Sequence, residues 1–305
     1  MKKISIGNGE MQASEIALGC MRIANLPVDE VSQLINTALD EGINFFDHAD
    51  IYGAGTSESL FGKVLSRNPG LREKILIQTK CGIKKGYYDL SKEHIVNSVN
   101  ESLKRLKTDY VDFLLLHRPD TLMDPQEIND AFNILLQEKK VRHFGVSNMN
   151  PMQIELLQKH IRVPLVVNQL QFSIVHSGMI DLGFHVNMKH PLATSLDNSI
   201  LEYCRLKEIT IQPWSVVQAS WEEGTFLNNP NYQELNDVLS KLAKKYSVTP
   251  SAIAIAWILK HPAKMQPIIG TTNPKHLEEL CLSEKINLTR PEWYELYTSV
   301  GKKMP

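Results

Sequence analysis

The sequence predicts an α/β fold, a (β/α)8 TIM barrel, and three observations predict it. Short β-branched runs alternate along the chain with stretches of helical period, as parallel βαβ units require. Eight such runs occur, the number that closes a barrel rather than leaving a sheet open. The open alternative, a doubly wound sheet, is announced by a glycine-rich first turn. Neither candidate completes one: Gln12 follows Gly7-Asn8-Gly9, and Glu58 follows Gly53-Ala54-Gly55, where a third glycine would stand. Gly62-Lys63 is no phosphate loop, because Val64 follows it and Ser57 takes the first glycine's place.

The first sixteen residues precede the barrel, and Gly7-Asn8-Gly9-Glu10 reads as the turn of a hairpin that caps its bottom. The first strand is read at Ala17–Cys20. Its helix shows Val31, Leu34, Ile35, Ala38 and Leu39 at i, i+3, i+4, i+7 and i+8. Strands follow at Ile43–Asp47 and Ile75–Lys80. The next helix carries Ile95, Val99, Leu103 and Leu106 behind Ser91 as cap, with His94 rather than Glu three residues on. Val111–His117 is the fourth strand, with Ala131, Ile134 and Leu135 on its helix. Val141–Ser147 is the fifth, with Ile154, Leu157 and Gln158, and Leu165–Gln169 is the sixth. Phe172 to Asn198, with Gly178, Gly183 and Pro191, reads as a loop, long enough to imply a role. Between the seventh strand, Ile209–Pro213, and the eighth, Pro267–Gly270, lie extra helices at Tyr232–Tyr246 and Pro250–Lys260. Pro250 after Thr249 marks a helix start. A last helix near Tyr297 leaves a short tail, and residues 1–305 read as one domain.

Composition narrows the function. In 305 residues the hydrophobic fraction is 43% and the charged fraction 22%, which supports a large core and excludes disorder. Lys+Arg number 33 against 34 Asp+Glu, so no basic footprint for nucleic acid or acidic membrane exists. Cys20, Cys81, Cys204 and Cys281 form no CxxC pair and read as reduced thiols. The start has two lysines without an apolar h-region, so it is not a signal peptide, and no run is long enough for a membrane span. A soluble cytoplasmic protein is expected, in which the sequon Asn287-Leu288-Thr289 has no meaning.

Function in such a barrel collects at the carboxyl ends of the strands. Those ends read Asp47, Lys80, His117, Ser147-Asn148 and Gln169, with Tyr52 just beyond Asp47. A solvated rim would seldom close three apolar strands with Asp, Lys and His. A tyrosine ionises near pH 10 and is a poor proton carrier at neutrality. An ammonium beside it favours the phenolate and lowers that value. Asp47 would hold Lys80 charged and oriented, and Tyr52 would exchange a proton with a substrate oxygen. His117 would orient the carbonyl or share the proton. This suits carbonyl/alcohol chemistry with hydride from a cofactor.

The stretch Asn44-Phe45-Phe46-Asp47-His48-Ala49-Asp50-Ile51-Tyr52-Gly53, then Lys80, Asp112-Phe113-Leu114-Leu115-Leu116-His117 and Gly145-Val146-Ser147-Asn148, resembles the aldo-keto reductase superfamily, from about Ala17 to about Leu280. The resemblance implies NADPH lying extended across the rim, and Asp47, Tyr52, Lys80 and His117 as the catalytic set, with Tyr52 the general acid in reduction. Carried over residue by residue, it implies Ser147, Asn148 and Gln169 on the nicotinamide carboxamide, Trp214 stacked on the ring, and Ser215, Val216 and Val217 along the pyrophosphate. It also puts Met21 among the cofactor residues. Ile268 to Leu280 resembles the family's last cofactor motif, where Thr271, Thr272 and Glu279 fit. Gly270 stands where many members have Lys or Arg, His276 where they have Arg, and Leu280 where they have Asn. The lost guanidinium removes a bidentate phosphate ligand. Lys275 and a helix N-terminus remain for an anion, so NADPH preference is expected with NADH use open.

The same residues admit other readings. Asp47-His48-Ala49-Asp50 with His117 invites a metal hydrolase, but no His-x-His closes a strand, no HExxH occurs, and Lys80 would repel a cation. No metal is expected. His176, His185 and His190 would line a mouth or a solvated loop, and Trp257-Ile258-Leu259 reads as core. Cys81, next to Lys80, should face the opposite side of its strand, behind the barrel wall. The second functional reading is a non-enzymatic NADPH-sensing subunit, since the resemblance includes potassium-channel β subunits. The substrate is a small carbonyl compound, with the short tail suggesting an open, tolerant pocket. Oligomeric state is not legible.

Overall fold

Eight parallel strands form one sheet, each at or near a run marked by its β-branched residues. The structure, a computed structural model, describes residues 1–6, 11–184, 199–220 and 222–302. The predicted turn at 7–10, His185, His190 and Pro191 lie outside the described residues. In chain order come the hairpin β1 (Lys3–Ile6) and β2 (Met11–Ser14), then β3 (Ala17–Gly19), α1 (Val28–Asp40), β4 (Phe45–Asp47), α2 (Thr56–Arg67) and β5 (Leu76–Cys81). A small hairpin, β6 (Ile83–Lys84) and β7 (Tyr87–Tyr88), precedes α3 (Lys92–Leu106), β8 (Val111–Leu116), α4 (Pro125–Gln137), β9 (Val141–Ser147), α5 (Pro151–His160) and β10 (Leu165–Gln171). Then follow α6 (Gly178–Phe184), α7 (Ile200–Leu206), β11 (Thr210–Trp214) and the hairpin β12 (Gln218–Ser220) and β13 (Gly224–Thr225). The chain ends with α8 (Gln233–Tyr246), α9 (Pro250–Leu259), β14 (Ile268–Ile269), α10 (Pro274–Cys281) and α11 (Arg290–Thr298).

The sheet order is β11-β10-β9-β8-β5-β4-β3-β14. The seam between β14 and β11 is closed just before β14, where Gln266 N–H donates to Ile211 O at 3.0 Å. Register puts the site at one level: Asp47 pairs with Gln78, Lys80 with Leu115, Leu116 with Val146, Ser147 with Gln169, and Gln169 with Gln212. Alternation then divides each strand. Phe45, Leu76, Phe113, Leu115, Val167 and Ile268 fill the lower barrel with Ile6 and Ala13 of the hairpin, which is how β1–β2 plugs the bottom. Leu114, Leu116, Val146 and Cys81 face outward into the layer beneath the helices. The four thiols are free and buried, Cys81 behind the wall as the alternation requires.

The helices bury the stripes expected of them. Val31, Leu34, Ile35 and Ala38 are the buried face of α1, each large side chain stabilising by about 1.5–3 kcal/mol. Ser91 caps α3 by accepting from His94 N, and Asn150 with Gln153 forms a capping box on α5. Trp257 of α9 stacks on Trp293 with centroids 4.7 Å apart, a core role as read. Helix α2 lies so close to α3 that a Cβ on Gly62 would come within 2.1 Å of Arg105 O. Backbone cannot swing aside as a side chain can, so Gly62→Ala is expected to cost at least about 1–3 kcal/mol, read as a lowered urea midpoint with unchanged slope. A midpoint equal to wild type would show that the two helices separate freely.

Some boundaries differ. The second barrel strand starts at Phe45 because Asn44 turns its side chain to the cap: Asn44 Oδ1 accepts from Ser14 N at 2.7 Å. The predicted loop from Phe172 begins as a buried turn, with Ser173 N donating to His176 O at 3.0 Å, and continues as α6. His176 is an exposed member of that turn. Helix α7 and the two hairpins at the mouth were not read from sequence. They are too short for a period to show.

Candidate active site

Lys80 is the centre of the arrangement. It is fully buried, and its Nζ contacts Asp47 Oδ1 at 2.8 Å and Oδ2 at 2.9 Å, His48 O at 2.7 Å and Tyr52 Oη at 3.0 Å. An ammonium has three protons, and all have acceptors here. Because Tyr52 Oη accepts from Lys80, its own proton is free for another acceptor.

Tyr52 reaches this position through a tight turn. Gly53 and Ala54 both have left-handed backbone, at φ 56° and 51°. At Gly53 a Cβ would also meet Ala24 Cβ at 2.4 Å, so two independent constraints require glycine there.

Electrostatics agrees with a charged lysine and a protonated tyrosine. Burial pulls the Lys80 pKa down, but Asp47 and Tyr52 together outweigh it and leave it raised. For Tyr52, burial pushes the pKa up and Lys80 pulls it down, with burial the stronger. From sequence alone the ammonium is expected to lower this value. The structure shows it only limiting a rise, because the phenol sits in a site with little water. His117 is pushed down to about 2 by burial, then by Lys80 and Arg118. Its ring stands edge-on to Tyr52 at 6.1 Å, and its Nδ1 is buried without a partner among the described residues. A neutral imidazole whose Nδ1 meets no acceptor keeps its proton at lowest cost on Nε2.

A chain of amides that sequence reading missed runs up the barrel interior to Asp47. Gln266 Nε2 donates to Ser14 O at 2.7 Å, Gln212 Nε2 to Gln266 Oε1 at 2.8 Å, and Gln78 Nε2 to Gln212 Oε1 at 2.8 Å and Asp47 Oδ1 at 2.6 Å. Gln169 Nε2 also donates to Asp47 Oδ1, at 3.1 Å. The available signal was three glutamines in apolar strands, where an uncharged polar side chain needs an interior partner. Behind β5, Thr79 Oγ1 donates to Glu58 at 2.6 Å and Arg105 Nε donates to its other oxygen at 2.7 Å, so this second buried carboxylate is also neutralised.

The residues carried over for a cofactor lie along one side of the mouth. Ser147 Oγ donates to Gln169 O at 3.0 Å, and Asn148 Nδ2 donates to Ser147 Oγ at 2.8 Å. The side-chain amide oxygens of Asn148 and Gln169 are the parts left to receive a carboxamide NH2. Trp214 ends β11 with a half-buried ring. Ser215 has φ 54° and donates its hydroxyl to Gln218 Oε1 at 2.6 Å, and the Val216 side chain is buried, so along this stretch the main chain is the part to meet a pyrophosphate. Thr271 and Thr272 precede α10, whose first amides at Lys275 and His276 are capped by Asn273, while His276 itself is exposed and Glu279 half-buried. Met21 is 42% exposed in the turn after β3. Beside Gly270, Arg22 Nη1 donates to its carbonyl oxygen at 3.5 Å. The donor set fits a nicotinamide dinucleotide: two amide oxygens, a flat ring, hydroxyls and cations, in that order along the rim.

The chain matches the Aldo/keto reductase family over residues 15–298. It is 34% identical to 6-dehydroglucose reductase of Agrobacterium fabrum, with 100% of both chains covered. It is 33% identical to oxidoreductase YdhF of Escherichia coli, over 97% of this chain and 96% of that one. Among solved structures, a thermostable aldo-keto reductase, Tm1743, superposes with a TM-score of 0.78 at 23% identity, over 98% of this chain and 100% of its own, a likeness of fold.

Proposed function

The chain belongs to the aldo/keto reductase family and is a carbonyl-reducing oxidoreductase, and from that premise we propose that it reduces aldehydes or ketones with NADPH, Tyr52 supplying the proton. The observation that carries this is the Lys80–Tyr52 contact at 3.0 Å. The lysine's charge is held by Asp47, so the phenol can lose its proton to a forming alkoxide and have the phenolate stabilised at once. His117, neutral, donates from Nε2 to the same oxygen and orients the carbonyl. Asp47 keeps Lys80 charged, and Gln78 and Gln169 keep Asp47 in place.

When bound, the cofactor supplies the hydride. Ser147, Asn148 and Gln169 would fix its carboxamide and Trp214 the face of its ring, with Met21, Ser215 and Val216 beside it. Thr271, Thr272, His276 and Glu279 would take the adenosine end, beside the N-terminus of α10. Gly270 brings no cation of its own, but Arg22, held to its carbonyl, supports the phosphate-bearing form. The protein is proposed to work in the cytoplasm as a single barrel domain spanning 1–305. Its four buried free thiols support a reducing compartment, and among the described residues no helix is long and apolar enough to cross a membrane.

Titration with NADPH and NADH, followed by intrinsic tryptophan fluorescence, tests the cofactor seat. A saturable quench that Trp214→Phe largely removes is expected, with NADPH the tighter ligand. A quench unaffected by that change would put the ring elsewhere, and tighter NADH would reject the phosphate preference.

A further inference from the structure

Arg118 brings to the mouth a charge that no group in the described chain neutralises. It follows His117 directly, and the turn that carries it is pinned on both sides. His117 N–H donates to Cys81 O at 2.9 Å, and the Asp120 carboxylate accepts from Leu122 N at 2.9 Å and Leu90 N at 3.3 Å. Arg118 is half-buried, and its guanidinium lies 5.9 Å from the centroid of the Trp214 ring, near the limit of about 6 Å at which a ring still attracts a cation. Arg118 stands just past β8 and Trp214 at the end of β11, so the side chain reaches across the opening. Its charge is felt at the centre, as one of the causes that depress His117.

Four other arginines of the fold are neutralised by carboxylates. Arg67 holds Asp29, Arg72 and Arg142 hold Asp112, and Arg105 holds Glu58. Among the described residues no carboxylate or hydrogen-bond acceptor meets the Arg118 side chain. A partly desolvated cation without a counter-ion is costly unless a ligand completes it, and a guanidinium fork is complementary to an oxyanion with two acceptors.

We infer that Arg118 recognises a carboxylate on the substrate, so the preferred substrates are aldehydes or ketones bearing a carboxylate a few carbons from the carbonyl. The inference rests on the reading of the site given above, with the carbonyl oxygen against Tyr52 and His117. One end of the substrate is then fixed by a phenol and an imidazole, and the other points toward the fork. A hydroxyl would satisfy one N–H and leave the charge unmatched. A carboxylate satisfies two and the charge as well.

The test compares 4-oxobutanoate with its methyl ester, the same aldehyde with and without the charge. In wild type, kcat/KM for the acid is expected to exceed that for the ester by about 10- to 100-fold, the range a charge-assisted bidentate contact gives. In Arg118→Met the ratio should fall to about one, mostly through KM, and Arg118→Lys should restore part of it. NADPH titration of each variant confirms a folded cofactor seat. Brisk turnover of the ester with a wild-type ratio near one overturns the carboxylate assignment and leaves the reductase reading intact. A large ratio that persists in Arg118→Met also overturns it. If glyceraldehyde gains over propanal as much as acid gains over ester, the fork serves any polar group and the assignment fails. No turnover of any aldehyde by protein that binds NADPH would remove the proposed mechanism, and this inference with it.

Discussion

Tyr52→Phe is expected to lower carbonyl turnover by about 10²- to 10⁴-fold, the usual contribution of a positioned proton donor, while NADPH affinity stays close to wild type. The substitution removes one oxygen from a site whose other groups stay satisfied, since Lys80 keeps Asp47 and His48 O. The pH profile sharpens the test. Burial, opposed by Lys80, leaves the Tyr52 pKa above its ordinary value of 10.0. A raised value keeps the acid form present throughout the neutral range. kcat/KM for reduction should therefore be flat to about pH 10 on its alkaline side and fall only as the phenol ionises. Alcohol oxidation needs the phenolate and should rise over the same range. Tyr52→Phe should lose both limbs. Initial rates in the two directions, with cofactor affinity measured alongside, decide it. A variant that keeps wild-type turnover would reject Tyr52 as the acid.

The parts of this site that sequence could show are those set by strand register and motif order. Asp47, Lys80 and His117 end three apolar strands, and alternation alone predicts that they share a rim. The hairpin cap was also legible, from a turn signal ahead of the first strand. The direction of the Tyr52 shift was not. It depends on the balance between one ammonium and the loss of water, and composition says nothing of solvent access. The amide chain was equally hidden. Gln78, Gln169 and Gln212 come from three strands and Gln266 from the segment just before β14, and their hydrogen bonds depend on the barrel's closure, which no local pattern contains. Arg118 passed unnoticed because an arginine beside a rim histidine reads as a solvated charge. Its lack of an acid partner among the described residues follows from where the barrel places its side chains, which no local pattern contains.

Lys80→Met is expected to destabilise the fold by about 3–5 kcal/mol, the usual result of removing one member of a buried ion pair, and to abolish measurable reduction. Asp47 would keep Gln78 and Gln169 but lose the Lys80 ammonium that balances it deep in the barrel. The double variant Asp47→Asn/Lys80→Met should be more stable than the single one, because Asn retains an oxygen for both glutamine amides and brings no charge. It should still be inactive, since Tyr52 then has no ammonium to stabilise its phenolate. The wild-type pair also carries a sign. The folded pKa of Lys80 is raised above 10.5, so its stabilisation is intact at neutral pH and is lost as pH rises past that value. The double variant should lack this alkaline loss. Urea unfolding of wild type, both single variants and the double, at neutral and alkaline pH, gives the coupling directly. A double variant no more stable than Lys80→Met would mean the pair is not the source of the cost. One that still reduces aldehydes would separate the ion pair from the chemistry.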